Sequence, residues 1–227
     1  SNVNGAFGFA IGNNSKFNGG TLGFAIGVNS EAKSNQSIAI GYLSKAIGRN
    51  NGGGGDPALA VGAGANATEA GTSAFGLSAN ASGTYATAIG FKSTVSGNDG
   101  MAIGASSKAS KQGASAMGPG ARAYGNGAIS LGYQALSGAN TYTGAANSAA
   151  PFDDKDATIN TYAKWGDAAI GLRAVATGGN ATALGRSASA TAANAIAIGG
   201  GNGDSAIDNT EKTEATGEKS TAIGYNA

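Results

Sequence analysis

The acidic residues Asp153, Asp154 and Asp156 come nearest in the sequence to a group that could do chemistry. Their carboxylates could supply oxygen ligands to calcium, or an acid and base pair for hydrolysis. They follow Pro151, however, and short acidic runs are more often solvated turns. We favour the solvated turn.

Glycine-rich and metal-binding motifs give no better candidate. Residues 200–204 read Gly-Gly-Asn-Gly-Asp, which is similar to a calcium-binding repeat, but the aspartate comes one place early and the motif occurs once. The chain has no histidine and no cysteine, so the usual general base and the usual transition-metal ligands are missing. We therefore predict no catalytic residue, no metal, no cofactor and no enzymatic activity.

Aromatic residues concentrate between positions 138 and 167, together with charges of both signs. Exposed aromatic side chains with a polar rim are typical of protein-binding surfaces. The alternative is that the same aromatic residues pack the segment onto the rest of the fold. The predicted ligand-binding residues are Tyr142, Phe152, Asp153, Asp154, Lys155, Tyr162, Lys164 and Trp165.

Composition narrows the class of protein further. The 227 residues include 41 glycines, only 12% are charged, and the net charge is +1. No basic stripe with interleaved aromatics indicates nucleic-acid binding. No apolar run approaches the roughly 20 residues of a membrane-spanning helix, and Ser1–Gly12 lacks the charged start of a signal peptide.

A four-residue phrase recurs throughout the chain: an apolar or small residue, alanine in nearly every copy, a large apolar residue, and glycine. Thr87-Ala88-Ile89-Gly90 is one copy among 13, and most successive copies are 14 residues apart. The large apolar residues are Ile11, Ile26, Ile40, Val61, Phe75, Ile89, Ile103, Met117, Leu131, Ile170, Leu184, Ile198 and Ile223.

A period of 14 suits one coil of a parallel β-solenoid, with two short strands and two tight turns. The closing glycines, such as Gly12, Gly76 and Gly90, are expected at corners that require a positive φ. In the second strand, small residues alternate with polar ones such as Asn80 and Lys108. This alternation predicts one face inside the coil and one face in water.

The first strand is apolar on both faces, so both faces should be buried. One can fill the coil interior, but the other needs a partner surface, because a long apolar stripe is too large to leave exposed. The sequence thus predicts an obligate oligomer. It leaves open whether the large residues of the phrase form the structural core or the subunit interface.

Copies such as Ile38-Ala39-Ile40-Gly41, followed by Ser44 and Ala46, resemble the head repeats of trimeric autotransporter adhesins, typified by the Yersinia adhesin. The resemblance implies a left-handed parallel β-roll assembled as a homotrimer. It further implies display outside the outer membrane of a Gram-negative bacterium, with the anchor lying beyond this sequence. The implied partners are host extracellular-matrix or cell-surface proteins, or other adhesin copies, and the implied roles are cell adhesion and virulence.

Three insertions interrupt the 14-residue rhythm, near residues 42–58, 138–167 and 200–220. We expect residues 1–227 to form a single all-β head domain that carries these insertions. The alternative functions are a solenoid carbohydrate-active enzyme and a purely structural spacer. The mixed outward residues argue against a third, an ice-binding array of threonines.

Overall fold

The computed structural model describes residues 1–18, 20–49, 56–138, 166–201 and 212–227. The chain divides into two compact units, Ser1–Ser106 and Ser107–Ala227. All regular structure in the described ranges is β-strand, as predicted. These ranges contain no helix long and apolar enough to cross a membrane.

In the first unit, each coil gives one strand to each of two parallel sheets. We call the sheet that holds the repeated phrase the phrase sheet, and its partner the short-strand sheet. The phrase sheet comprises β2 (Phe7–Ile11), β4 (Leu22–Ile26), β6 (Ser37–Ile40), β8 (Leu59–Val61), β10 (Ser73–Phe75), β12 (Thr87–Ile89) and β14 (Met101–Ile103). The short-strand sheet comprises β1 (Asn2–Val3), β3 (Lys16–Phe17), β5 (Glu31–Ala32), β7 (Lys45–Ala46), β9 (Asn66–Ala67), β11 (Asn80–Ala81) and β13 (Thr94–Val95).

The second unit repeats this arrangement. Its phrase sheet comprises β16 (Ser115–Met117), β18 (Ile129–Leu131), β20 (Ala168–Ile170), β22 (Thr182–Leu184), β24 (Ile196–Gly200) and β26 (Thr221–Tyr225). Its short-strand sheet comprises β15 (Lys108–Ala109), β17 (Arg122–Ala123), β19 (Leu136–Ser137), β21 (Val175–Ala176), β23 (Ser189–Ala190) and β25 (Glu214–Ala215).

Equivalent residues of successive coils pair in register, so Ile89 lies beside Ile103 and Ala88 beside Ala102. The register survives the insertions, since Leu131 pairs with Ile170 across the longest one. Each insertion falls between two strands: after β7, after β19 and after β24. The 14-residue coil is therefore the structural unit, and the insertions are additions at its corners.

Alanine fills the interior of each coil. Ala88 and Ala102 of the phrase are fully buried, as are Ala67 and Ala81 of the facing short strands. Two sheets that enclose only such small side chains lie close together and leave no room for isoleucine between them. The interior is thus the alanine face of the phrase strand, and the large residues point outward.

The closing glycine of the phrase turns the corner. Gly12, Gly76 and Gly90 have φ values of 128°, 128° and 126°, a region that side chains other than glycine rarely adopt. A Cβ on Gly90 would also lie 2.6 Å from the carbonyl oxygen of Gly104 in the next coil. The expected role of these glycines at the corners is confirmed. The close stacking of the coils is a second reason why the position requires glycine.

The largest interior side chain in the described ranges departs from this pattern. Phe17 of β3 is fully buried at a position where the next two coils have Ala32 and Ala46. Its ring fits because Gly8 and Gly23 lie opposite, and a Cβ on either glycine would overlap the ring. The large ring of Phe17 fills the space that the two glycines leave free, so this coil keeps the width of its neighbours.

Candidate functional site

The strands of the phrase sheet carry most of the exposed large apolar residues in the described ranges. None of the large apolar residues of the phrase is buried; each is half-buried or exposed. Ile89 is 38% exposed, whereas its neighbour Ala88 is fully buried. The predicted residues Ile11, Ile26, Ile40, Val61, Phe75, Ile89, Ile103, Met117, Leu131, Ile170, Leu184, Ile198 and Ile223 therefore lie outside the coils of the single chain.

Further apolar residues widen this outer apolar face. The first residue of the phrase also points outward, and several copies have a large side chain there, including Phe9, Phe24 and Met101. The rings of Phe9 and Phe24 stack with centroids 5.2 Å apart and planes 4° from parallel. After the closing glycine, many coils add one more exposed apolar residue: Val28, Tyr42, Leu77, Phe91, Tyr133, Leu172 and Tyr225.

The size of this face follows from the stacking. Neighbouring strands are about 4.8 Å apart, so equivalent residues such as Ile89 and Ile103 form continuous ridges along each unit. Monomeric proteins rarely expose contiguous apolar patches of more than a few hundred Å². Ridges with one to three large side chains per coil, repeated over the coils of one unit, exceed that range.

The outer face of the short-strand sheet is different. In the first unit its outward residues are all polar: Asn2, Lys16, Glu31, Lys45, Asn66, Asn80 and Thr94. Asn66 donates a hydrogen bond from Nδ2 to Oδ1 of Asn80 over 3.3 Å, and Glu31 forms an ion pair with Lys33 over 3.0 Å. The polar alternation predicted for the second strand is confirmed there. Water can solvate this face, but it cannot solvate the outer apolar face favourably.

In the second unit the same column of the short-strand sheet contains two apolar residues. Leu136 and Val175 are paired in register between the polar residues Arg122 and Ser189. Tyr124 packs with Leu136, and Val175 lies against them. Sequence reasoning missed this cluster. The available signal was the change from polar to apolar at a position that is polar in the other coils.

The predicted ligand-binding residues lie outside the described residues. They are Tyr142, Phe152, Asp153, Asp154, Lys155, Tyr162, Lys164 and Trp165, and Asp156 falls in the same range. The residues that flank this range are described. Gly138 donates its backbone N–H to the carbonyl of Ala176 over 2.9 Å, and Gly166 donates to the carbonyl of Asn126 over 3.1 Å.

The residue that follows Gly166 is part of a coil. Asp167 is fully buried, and its Oδ1 accepts hydrogen bonds from the backbone N–H groups of Gly179 and Ala181, both over 2.8 Å. In other coils this corner position holds a small residue such as Ala128 or Ala181. Asp167 therefore ties the end of the insertion to the next coil.

No group of three or more histidine, cysteine, aspartate or glutamate side chains in the described ranges is placed to hold a metal ion. Of the glycine-rich run near residue 200, only Gly200 and Gly201 lie in those ranges, so its aspartate is outside them.

The chain was compared with known protein families. The family described as the YadA head domain repeat matches residues 19–44, 81–107, 109–135, 176–202 and 212–227, which together make up more than half of the chain. No curated protein matches the chain.

Proposed function

Because the chain belongs to the YadA head domain repeat family, a non-enzymatic family of adhesin heads, we propose that residues 1–227 form one homotrimeric head domain with left-handed coils. We further propose that the head is displayed outside the outer membrane of a Gram-negative bacterium. There it binds host extracellular-matrix or receptor proteins, or other adhesin copies, and promotes attachment.

The observation that carries the assembly part of this proposal is the outer apolar face. Full burial of an isoleucine side chain is worth about 1.5–3 kcal/mol, so covering the 38% of Ile89 that is exposed is worth about 0.6–1.1 kcal/mol. Each coil contributes one to three large apolar side chains to this face. A subunit interface that runs along this face would therefore gain free energy with every coil.

The family supports a three-fold arrangement, in which three chains each turn their outer apolar face towards a common axis. The polar short-strand sheet would then face the solvent. Sedimentation equilibrium of the whole chain tests this directly, and we expect a mass three times the 21.6 kDa of one chain. A stable folded monomer at micromolar concentration would contradict the proposal.

The ligand-binding part of the proposal rests on the insertion near residues 138–167. An ordered roll gains no stability from so long an insertion, and long insertions in compact arrays are often functional. A trimer would present three copies, and three weak contacts to a multivalent matrix ligand add up to high avidity.

The test is to delete residues Ala139–Lys164, so that Gly138 joins Trp165, and to screen both proteins against immobilised matrix proteins. Circular dichroism and sedimentation establish that the variant is folded and trimeric. We expect the deletion to reduce binding. Undiminished binding by the deletion variant would mean that the ligand binds to the regular coils. If neither protein bound any matrix protein, a purely structural spacer would be favoured.

A further inference from the structure

Tyr85, in the turn between β11 and β12 of the first unit, combines an exposed ring with an unusual backbone. Its φ is 56° and its side chain is 61% exposed. A positive φ is uncommon for any residue other than glycine and is an outlier for a bulky one. Gly71 and Asp99 take the same place in the adjacent coils, with φ values of 65° and 55°. The turn therefore forms without an aromatic side chain.

The ring of Tyr85 lies over the backbone of the preceding coil. A Cβ at Gly71 would overlap the ring, so the glycine leaves free the space that the ring occupies. The backbone N–H of Tyr85 also donates to the carbonyl of Ala70 over 2.8 Å. These contacts hold one side of the ring against the turn, and the rest of the ring is open to water.

The surroundings of the ring are negatively charged. Residues 56–100 contain three acidic residues and one basic residue, so their net charge is −2. Asp99 is exposed and lies one strand spacing, about 4.8 Å, from Tyr85 in the next coil. Glu69 belongs to the same corner of the preceding coil, where its carboxylate pairs with Arg49 over 3.5 Å.

A cationic group matches both the ring and the charge around it. An ammonium or guanidinium group within about 6 Å of a tyrosine ring is attracted to its face, and the carboxylate of Asp99 would add an ionic contact. The chain makes such a contact itself at the opposite corner of the same coil, where the Nζ of Lys92 lies 5.2 Å from the centre of the Phe91 ring. A neutral sugar would gain from the ring but not from the negative charge.

We propose that Tyr85 and Asp99 bind a lysine or arginine side chain of a partner protein. Thr87, which is small and polar, separates Tyr85 from Ile89 of the outer apolar face, so the site lies beside the surface proposed to join subunits. The partner rests on the proposed adhesive function, but the site belongs to the regular coils and does not depend on the insertion near residues 138–167.

The test is to titrate a hexa-arginine peptide into the whole chain by isothermal titration calorimetry. We expect saturable binding that weakens as salt is added. Tyr85→Gly should weaken it about fivefold without lowering the melting temperature, because glycine adopts a φ of 56° without strain. Asp99→Asn should also weaken binding, whereas Tyr85→Phe should preserve it because the ring remains.

The matched control is Tyr42→Ser, which removes a tyrosine that is 57% exposed at the opposite corner and should leave binding unchanged. The proposal is wrong if Tyr85→Gly binds hexa-arginine as tightly as the wild type, or if Tyr42→Ser loses as much affinity. It is also wrong if Tyr85→Gly loses binding of maltohexaose, a neutral sugar, but keeps that of hexa-arginine. A wild-type chain that binds hexa-arginine but no matrix protein would support this site and contradict the adhesive function alone.

Discussion

Replacing Phe17 by alanine should create a cavity that the surrounding coil cannot close. The ring is fully buried against Gly8 and Gly23, neither of which has a side chain to fill the space. Phenylalanine-to-alanine changes in cores cost about 3–5 kcal/mol. In the next coil Ala32 stands at the position of Phe17, and Ser37 takes the place of Gly23.

The informative experiment combines this change with Gly23→Ala. In the wild-type protein the new Cβ would overlap the ring of Phe17, so we expect a loss of about 1–3 kcal/mol from overpacking. In the Phe17→Ala background the same methyl group enters free space and replaces a glycine in a strand, so it should stabilise by about 0.5–1 kcal/mol. The sign of the Gly23→Ala effect should therefore reverse.

The assay is amide hydrogen exchange by mass spectrometry over residues 1–32, because a solenoid coil contacts only its neighbours and the loss should be local. A loss of 3 kcal/mol lowers protection by about two orders of magnitude. If the two substitutions were additive to within about 0.5 kcal/mol, the inferred packing of Phe17 between the glycines would be refuted.

Two further changes test the interior and the outer apolar face. Ser130 and Ser137 are buried with their hydroxyl oxygens 2.6 Å apart, and Ser130 also donates to the carbonyl of Arg122. Ser130→Ala removes the partner of the Ser137 hydroxyl and should lower the free energy of unfolding in urea by about 1–3 kcal/mol. The Ser130→Ala, Ser137→Ala double variant should lose less. A double variant less stable than Ser130→Ala would contradict this reading. Ile89→Asp should prevent assembly, because a carboxylate in an apolar interface costs several kcal/mol. Asn80→Asp on the polar face should change stability by under about 0.5 kcal/mol. If both variants sedimented alike, the assignment of the two outer faces would be wrong.

Much of the fold could be predicted from the sequence, since a period of 14 with a closing glycine suits one coil of a β-solenoid and the alternation in the second strand predicts one buried face. The orientation of the phrase strand could not, because Ala88 and Ile89 are both apolar and periodicity alone does not distinguish two apolar faces. Side-chain size decides it: the space between the sheets accepts Ala88 and excludes Ile89.

The candidate sites were predictable to different degrees. The large residues of the phrase were identified as core or interface, and the structure places them on the outer surface of the coils. The packing of Phe17 against Gly8 and Gly23 depends on contacts between different strands, so no pattern within a single repeat predicts it. The predicted ligand-binding residues of the longest insertion follow no repeat, so neither period nor register constrains them.

We propose that subunits meet through the outer apolar face of the phrase sheet. The chain contains no cysteine, so a single introduced thiol reports its own surroundings. Ile89→Cys and Asn80→Cys place thiols on the two opposite outer surfaces of neighbouring coils. After mild oxidation and denaturing electrophoresis without reductant, we expect Ile89→Cys to give a covalent dimer and Asn80→Cys to stay monomeric. Cross-linking of Asn80→Cys without cross-linking of Ile89→Cys would show that the subunits meet through the polar sheet instead.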